Sequence, residues 1–504
     1  MARPTALFAV PVLIAALVAA AGPPALAAPA LRATATWSMV PMSKDADGDG
    51  FIDGDGGVPR KNPLSSEPAK KFVGAGNRIA QPSERLINGN QSWYLHPDGF
   101  PVALDACKSL GNEYRFIVRA DGDVVRTTRW KKLDGRKCTQ EVILAEGSHE
   151  VELIVRGGGR TATSTMAIDV VNYLTIVMGD SYASGEGNPR NVQAWLGSSG
   201  SFTPYWDSDT CHRSVHGGPA QAALRLENSS DKSSVTLIDV ACSGATINAG
   251  ILGPQTAAGQ NASQIEQVRS IIADRPVDLA MVMIGGNDVG FTSLLASCAI
   301  KTDCPLDKAL LPPLSRYRTV QDGVQALTGQ LTAGYARIAQ CLGGTTCLVN
   351  GNVPSPGLTM SPSAAVLPIM YPDITRATDG QPCTYLTLSQ SDFGWARDTI
   401  LVPNPAPSYA YRTSQGPVVP LPLPQGTLNG QIGATAPLLD WRPVVRAWSV
   451  SGDSAEGHGV CADDPWVFGL TALSAMPDAS FHPNPNGHLA MGKAIGGALE
   501  LATR

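Results

Sequence analysis

A short apolar run that ends in a glycine-flanked serine constrains this sequence more than any other feature. The run is Leu174-Thr-Ile-Val-Met178, and Gly179-Asp180-Ser181 follows it directly. A short apolar run bounded by turn residues predicts a strand in a parallel sheet that is covered on both faces. In open α/β sheets, ligands bind beyond the carboxyl ends of the strands, where a following helix offers unpaired N–H groups. The sequence therefore predicts a functional site at Ser181.

The pattern that follows predicts the rest of this sheet. From residue 172 onward, strand-like runs at 235–241, 277–284 and 366–371 alternate with helix-like segments such as 321–341. This alternation is typical of a doubly wound parallel sheet. A proline-rich insertion near residues 400–427 is predicted to be a long structureless segment that covers a site or forms a lid. Three tryptophans could line its walls or simply pack in the core: Trp441, Trp448 and Trp466.

Three further segments carry groups that acyl transfer requires, namely a base and donors for a developing oxyanion. The second and third strands end in Ala241-Cys-Ser-Gly244-Ala-Thr246 and Ile284-Gly-Gly-Asn287-Asp288. Glycine lets a backbone N–H approach a ligand closely, and an asparagine amide donates without needing a particular protonation state. The third segment, near the C-terminus, is Ser480-Phe-His482-Pro-Asn-Pro-Asn-Gly-His488.

Together with Gly179-Asp-Ser-Tyr-Ala-Ser-Gly-Glu-Gly187, these segments resemble, in order, the four sequence blocks of the SGNH (GDSL) hydrolases. That family comprises serine esterases and lipases on a flavodoxin-like parallel sheet, so the resemblance implies a three-layer α/β hydrolase domain over residues 172–504. It also implies Ser181 as nucleophile and His482 as base. The N–H groups of Ser181 and Gly244 and the side chain of Asn287 would form the oxyanion hole. His488 would belong to the final helix.

The last block departs from the family pattern, which places an aspartate three residues before the histidine. This chain has Ala479 at that position. Either a backbone carbonyl near Ala479 orients the imidazole, as in the family members that use a dyad, or Asp478 does so. The carbonyl is the preferred interpretation, because Asp478 is offset by one residue in a loop.

Residues 1–27 have the pattern of a signal peptide, with an apolar stretch and a small-residue cleavage motif at Ala25-Leu-Ala27. In an exported protein, ten cysteines without a Cys-x-x-Cys pair indicate disulfides rather than a metal site. The sequence leaves their connectivity open. Cys298 with Cys304 and Cys341 with Cys347 could close local loops, and the remaining pairs would be Cys107 with Cys138, Cys211 with Cys242, and Cys383 with Cys461. Residues 209–214 resemble a segment of secreted actinobacterial-type family members, which supports the pairing of Cys211 with Cys242.

Residues 28–84 are predicted to form a linker that contains an acidic loop. Alternating oxygen ligands in this loop resemble a calcium site: Asp45, Asp47, Asp49, Phe51 and Asp53. The twelfth position is Gly56 rather than a bidentate glutamate, so calcium would bind with modest affinity and serve stability, not chemistry. The alternative is a solvated acidic turn. No cofactor is expected for catalysis.

Residues 85–171 show period-two alternation, with Val151, Leu153 and Val155 on one face. This pattern predicts a small, immunoglobulin-like β-sandwich domain before the hydrolase domain. It carries no catalytic constellation, so we interpret it as a spacer or as a module that contacts a cell surface or polymer.

The sequence thus predicts a secreted serine hydrolase that cleaves carboxylic esters of lipids or of acylated carbohydrates. A net charge of −5 and the lack of a basic stripe argue against nucleic acid as a partner. After the predicted signal peptide, no apolar stretch has the roughly 20 residues needed to span a bilayer. The protein would act in the medium, the periplasm or the cell wall. The alternative function is a surface-binding or adhesion protein with a non-catalytic hydrolase-like domain.

Overall fold

The computed structural model describes residues 30–43, 45, 52, 95, 98–135, 137–192, 196, 202–343, 347–402, 408–422, 426–448, 457–471 and 476–504. The predicted signal peptide lies outside these residues. So do four of the five predicted calcium ligands, Asp47, Asp49, Phe51 and Asp53. Both interpretations therefore stay predictions.

The strands follow one another along the chain as β1 (Thr36–Met39), β2 (Phe100–Asp105), β3 (Glu113–Ala120), β4 (Asp123–Thr127), β5 (Lys131–Lys132), β6 (Thr139–Leu144), β7 (Gly147–Gly157), β8 (Arg160–Gly179), β9 (Ser233–Asp239), β10 (Val277–Met283), β11 (Cys347–Val349), β12 (Val353–Ser355), β13 (Met360–Met370), β14 (Ser408–Arg412), β15 (Val418–Pro422) and β16 (Val445–Arg446).

The α-helices are α1 (Ser181–Ser184), α2 (Gly218–Ser229), α3 (Gln264–Ile272), α4 (Phe291–Cys298), α5 (Val320–Thr328), α6 (Leu331–Cys341), α7 (Gln390–Ala396), α8 (Leu428–Thr435) and α9 (Pro485–Ala502). A π-helical turn, Arg397–Leu401, continues α7. Short 3-10 helices occur at Thr256–Ala258, Cys304–Leu306, Leu314–Arg316, Ala436–Leu439 and Pro477–Ala479.

The described residues divide into two compact units. The smaller unit contains residues up to Thr36, Leu104–Gln140 and His149–Ala167, and the larger unit contains the described parts of Trp37–Ala103, Glu141–Ser148 and Ile168–Arg504. In the smaller unit, β3 pairs antiparallel with β4, β5 and β7. The register places Val118, Phe116 and Tyr114 of β3 opposite the buried alternating residues of β7, which are Val151, Leu153 and Val155. The immunoglobulin-like sandwich stays a prediction.

The larger unit is built on a parallel sheet with the strand order β9-β8-β10-β13-β16. Counted along this unit, the order is 2-1-3-4-5, which is the flavodoxin-like arrangement. Nearly every residue of β9 and β10 is buried, so both faces of the sheet are covered, as the apolar runs of the sequence predicted. In this topology the strand order reverses between β8 and β10, and ligands bind at that point.

The sequence of the final helix, α9, explains where the helix begins and which of its faces is buried. Asn484 accepts a hydrogen bond from the N–H of Gly487 and so caps the first turn, where Pro485 fits because its missing N–H would have no partner. Met491, Ile495 and Leu499 form the fully buried face that their spacing predicted. Helix α9 packs against α2, and on this sheet α8 packs against β13 and α6.

The segment 321–341 is helical, as predicted, and consists of two helices, α5 and α6, which are separated by Gly329 and Gln330. The prediction of a structureless insertion was wrong. Within the proline-rich insertion, β14 and β15 form an antiparallel hairpin rather than a structureless cover. Tyr411 and Leu421 alternate inward and are buried, and the Gln325 amide donates to the Pro422 carbonyl oxygen at 2.6 Å. Residues 403–407 and 423–425 lie outside the described part of the insertion.

The tryptophans near this insertion pack inside the larger unit. Trp441 and Trp448 are buried, and the rings of Trp448 and Trp466 meet edge to face with centroids 5.7 Å apart. The ten cysteines form five disulfides, which join the pairs predicted: Cys107–Cys138, Cys211–Cys242, Cys298–Cys304, Cys341–Cys347 and Cys383–Cys461. In the part of the chain that the structure describes, no helix is long and apolar enough to cross a bilayer.

Candidate active site

The turn that carries Ser181 is fixed by the sheet beneath it. Strand β8 ends at Gly179, where a Cβ atom would lie 2.2 Å from the Met283 carbonyl oxygen of β10, so only glycine fits. The buried Gln264 side chain holds the Gly179 backbone twice, since its Oε1 accepts from the N–H and its Nε2 donates to the carbonyl oxygen, each at 2.8 Å. Asp180 then caps α1, and Ser181 is the first residue of that helix.

His482 lies beside Ser181 in a tautomer that its neighbours determine. Its Nε2 is 2.8 Å from the Ser181 Oγ, and its Nδ1 is 3.0 Å from the Ser480 carbonyl oxygen. A carbonyl oxygen can only accept, so Nδ1 carries the proton and the Nε2 lone pair faces the serine hydroxyl. This is the arrangement in which a histidine can remove the serine proton.

The group that orients His482 is therefore a backbone carbonyl, and it belongs to Ser480, one residue after Ala479. The Ala479 carbonyl oxygen instead accepts the backbone N–H of His482 at 3.0 Å. Asp478 is exposed to solvent. The structure thus places a carbonyl, rather than the Asp478 carboxylate, against the ring nitrogen.

The electrostatic surroundings keep His482 neutral. Burial lowers the pKa of His482, while the nearby charge of Glu186, the Ser480 carbonyl and Asp478 partly oppose that shift. Glu186 is itself buried, and its Oε2 lies 2.6 Å from Nδ1 of His212. Burial lowers the pKa of His212, but the hydrogen bond and charge of Glu186 outweigh this effect, so the net shift is upward. The Glu186–His212 pair gives the buried carboxylate a partner behind the site.

His488 lies close by but is bonded as a structural residue. Its Nδ1 accepts the Gly218 N–H at 3.1 Å, and its Nε2 donates to the Glu186 carbonyl oxygen at 3.0 Å. Burial lowers the pKa of His488 to about 4, so the ring is neutral near pH 7. The prediction that His488 belongs to the start of the final helix agrees with its position in the first turn of α9.

The two other segments proposed for the oxyanion hole meet each other and the serine turn. Gly244 adopts a left-handed conformation (φ +78°) that favours glycine. Two residues earlier, the N–H of Cys242 donates to the Gly179 carbonyl oxygen at 3.1 Å. The Asn287 amide donates to the Ala245 carbonyl oxygen at 3.0 Å. Both carboxylate oxygens of Asp288 accept the Ile247 N–H at 3.1 Å, which ties the two turns together.

Ser181 and Asn287 border one apolar cavity. The space between its lining atoms amounts to ≈ 810 Å³, part of which is open solvent. Most of its lining is aliphatic or aromatic. It includes Phe291, Leu294 and Leu295 of α4, Phe393 of α7, Ile400 and Leu401 of the π-helical turn, and also Val289, Leu388 and Leu428. The cavity therefore suits an apolar chain that is attached to a group held at Ser181.

Several residues of the site escaped the sequence analysis. The Tyr182 hydroxyl donates to the Phe481 carbonyl oxygen at 2.7 Å and so joins the serine turn to the histidine loop. Gln264 fixes the backbone of Gly179, and the Glu186 carboxylate pairs with His212. Tyr371 contacts Asp180. The available signal was position alone, since Tyr182 and Glu186 lie within the first block and Tyr371 directly follows a strand.

The described residues contain one group of side chains with the composition of a metal site, Asp105, Cys107 and Cys138. Its two cysteines are joined in a disulfide, so they cannot act as thiolate ligands. It is part of the smaller unit and takes no part in the arrangement around Ser181.

Comparison with known proteins gives a distant likeness in fold. No family model matches the sequence, and no curated protein matches it either. An extracellular lipase from Streptomyces rimosus aligns over 66% of this chain and 99% of its own, with 19% identity and a TM-score of 0.37. A phospholipase A1 from Streptomyces albidoflavus NA297 aligns over 66% and 99%, with 17% identity and a TM-score of 0.36. TM-scores this low carry no functional argument.

Proposed function

We propose that this protein is a serine hydrolase of the SGNH type that cleaves carboxylic esters through an acyl-enzyme on Ser181. The observation that carries the proposal is the 2.8 Å contact between the His482 Nε2 and the Ser181 Oγ, in the tautomer that the Ser480 carbonyl selects. A serine needs an adjacent base to act as a nucleophile at neutral pH. The burial that lowers the pKa of His482 keeps this base unprotonated.

The reaction follows from these positions. The Ser181 Oγ attacks the ester carbonyl carbon while its proton moves to the Nε2 of His482. The resulting oxyanion accepts hydrogen bonds from the N–H groups of Ser181 and Gly244 and from the Asn287 amide. The tetrahedral intermediate then collapses, and His482 returns the proton to the departing alcohol. A water molecule, deprotonated by His482, attacks the acyl-enzyme, and the acid leaves as Ser181 regains its proton.

The apolar cavity supports an ester with an apolar acyl group, because an acetyl group would leave most of its aliphatic lining without a partner. A lipid ester is thus favoured over an acetylated carbohydrate. The five disulfides support a secreted enzyme, since such bonds persist in oxidising compartments.

The test is hydrolysis of p-nitrophenyl esters of increasing acyl length in the presence of a chelator. Ser181→Ala should lower kcat by about 10⁶-fold. Ser184→Ala is the matched control, because Ser184 lies on the same turn but its Oγ donates to the Ser181 carbonyl oxygen at 3.2 Å and does not face a base. We expect that control to retain activity and the length optimum to fall beyond acetate.

An organophosphonate provides a readout that is independent of turnover. Mass spectrometry should locate the covalent adduct on Ser181 in the wild type and find none in Ser181→Ala. Turnover that survives in folded Ser181→Ala, or an adduct on another residue, would contradict the proposal.

A further inference from the structure

We infer that Tyr371 is a positioning residue that holds the nucleophile turn and the oxyanion turn at a fixed distance. The inference rests on the proposed function, and it assigns to Tyr371 an effect on the chemical step without contact with the reacting atoms. Tyr371 directly follows β13, so it stands at the carboxyl edge of the sheet beside the ends of β10 and β8.

The Tyr371 hydroxyl bridges the ends of these two neighbouring strands. It donates its single proton to the Oδ2 of Asp180, and its oxygen accepts the N–H of Gly286 at 3.0 Å. A phenol has one proton, so the direction of this chain is fixed from Gly286 through Tyr371 to Asp180. Asp180 immediately precedes Ser181 and Gly286 immediately precedes Asn287, so the bridge is one residue away from each reacting group.

The bridge is itself held rigidly. Asn429 of α8 is fully buried and binds both backbone groups of Tyr371: its Oδ1 accepts the N–H and its Nδ2 donates to the carbonyl oxygen, each at 2.9 Å. The ring packs edge to face on Tyr182, with centroids 5.3 Å apart. Since Tyr182 also holds the histidine loop through Phe481, the two tyrosines fix the site from both sides.

Such a bridge acts on the transition state more than on binding. Oxyanion donors stabilise charge that develops only during the reaction, and a displacement of about 1 Å can lower a rate about 10²-fold. Loss of the bridge frees the Gly286–Asn287 turn to shift relative to Ser181. Tyr371 also lines the apolar cavity, so the substitution must keep the aromatic ring if the space proposed for the acyl chain is to stay largely intact.

Tyr371→Phe removes the hydroxyl and preserves the ring. We expect kcat to fall by about 10- to 100-fold while KM stays nearly unchanged. The double-mutant cycle with Asn287→Ala is the decisive measurement, because a residue that acts through Asn287 has little further effect once that amide is gone. Tyr371→Phe in the Asn287→Ala background should therefore lower kcat far less than it does in the wild type.

Tyr335→Phe is the matched control. Tyr335 is equally buried, and its hydroxyl donates to the Ile284 carbonyl oxygen at 2.9 Å, at the end of the same strand β10. It borders a different cavity, beside Ile432 and Trp441. We expect a comparable loss of melting temperature in the two Tyr→Phe variants, with kcat preserved in Tyr335→Phe.

Each outcome decides between the claims. Wild-type protein without ester hydrolysis would remove the proposed function itself. Two results with an active wild type would refute the positioning role alone. One is an unchanged kcat in Tyr371→Phe, and the other is an equal loss of kcat when Tyr371→Phe is introduced into the wild type and into Asn287→Ala. Should Tyr371→Phe not fold, Asp180→Asn takes its place in the cycle, because asparagine keeps a cap acceptor and replaces the oxygen that binds Tyr371; the same split between kcat and KM is expected.

Discussion

His482 and His488 belong to one short stretch of chain, and both contact residues 181–186, yet their hydrogen bonds run in opposite directions. In the loop before α9, the Nδ1 of His482 faces a carbonyl oxygen, which leaves an Nε2 lone pair for the Ser181 hydroxyl. In the first turn of α9, the Nδ1 of His488 faces the Gly218 N–H, so its Nε2 must carry a proton. The partner of Nδ1 thus decides whether the Nε2 of each ring can accept a proton or must donate one.

Burial alone therefore does not distinguish His482, the proposed base, from His488. Burial lowers the pKa of both rings, so both are neutral near pH 7. Only His482 directs a free lone pair at a hydroxyl. His488 uses both of its nitrogens to join α9 to Gly218 and Glu186, which is a task of the fold rather than of the reaction.

We expect the largest effects when the imidazole rings of His482 and His488 are removed one at a time. His482→Ala should lower kcat by about 10⁴- to 10⁶-fold, because the serine loses its base, with little change in melting temperature. His488→Gln should instead lower the free energy of unfolding by roughly 2–4 kcal/mol, because two buried hydrogen bonds are disturbed. Activity against p-nitrophenyl esters and thermal unfolding, measured on both variants, separate these effects.

A large loss of activity in His488→Gln would contradict the separate roles assigned to the two histidines. If folded His488→Gln lost activity as completely as His482→Ala, the two histidines would act together in proton transfer. A single structural role for His488 could not explain that result.

The dependence of kcat/KM on pH tests the protonation state of His482. His482 must be unprotonated to act, so kcat/KM should rise tenfold per pH unit on the acid side and become flat above the pKa of His482. Because burial lowers this pKa from its ordinary value of 6.5, the midpoint should lie below pH 6.5. A midpoint near pH 7 would point instead to Asp180, whose pKa burial raises to about 7. In that case Tyr371→Phe, which removes a hydrogen bond that lowers the Asp180 pKa, should move the midpoint upward.

The sequence predicted those parts of the site that local pattern determines. Ser181, Gly244 and Asn287 each follow an apolar strand, and strand order in a doubly wound sheet then brings their turns to one edge. The roles of Gln264 and Tyr371 could not be predicted this way. Each side chain is fixed by a backbone group far away in sequence, and nothing in the residues around it distinguishes it from an ordinary core position.

The same reasoning explains the wrong and the open predictions. The β14–β15 hairpin was missed because prolines concealed an alternating pattern that is visible only once Tyr411 and Leu421 are known to face inward. The sequence favoured a carbonyl near Ala479 over the Asp478 carboxylate without deciding between them, because a one-residue offset in a loop makes the difference. The structure shows the carbonyl of Ser480 at the ring nitrogen.

The substitution Asp478→Asn, for which we expect the smallest effect, tests whether the Ser480 carbonyl alone orients the His482 ring. Asp478→Asn should leave the plateau value of kcat/KM nearly unchanged, because the Asp478 carboxylate is exposed and the Ser480 carbonyl already orients the His482 ring. The negative charge of Asp478 raises the pKa of His482, so its loss should move the acid midpoint slightly downward, which a pH profile of the two proteins would show. A fall in kcat of about 10⁴-fold, the size observed when a triad aspartate is replaced, would mean that Asp478 reaches the ring during the reaction. The contrast between the two histidines would then depend on a charge as well as on the direction of a hydrogen bond.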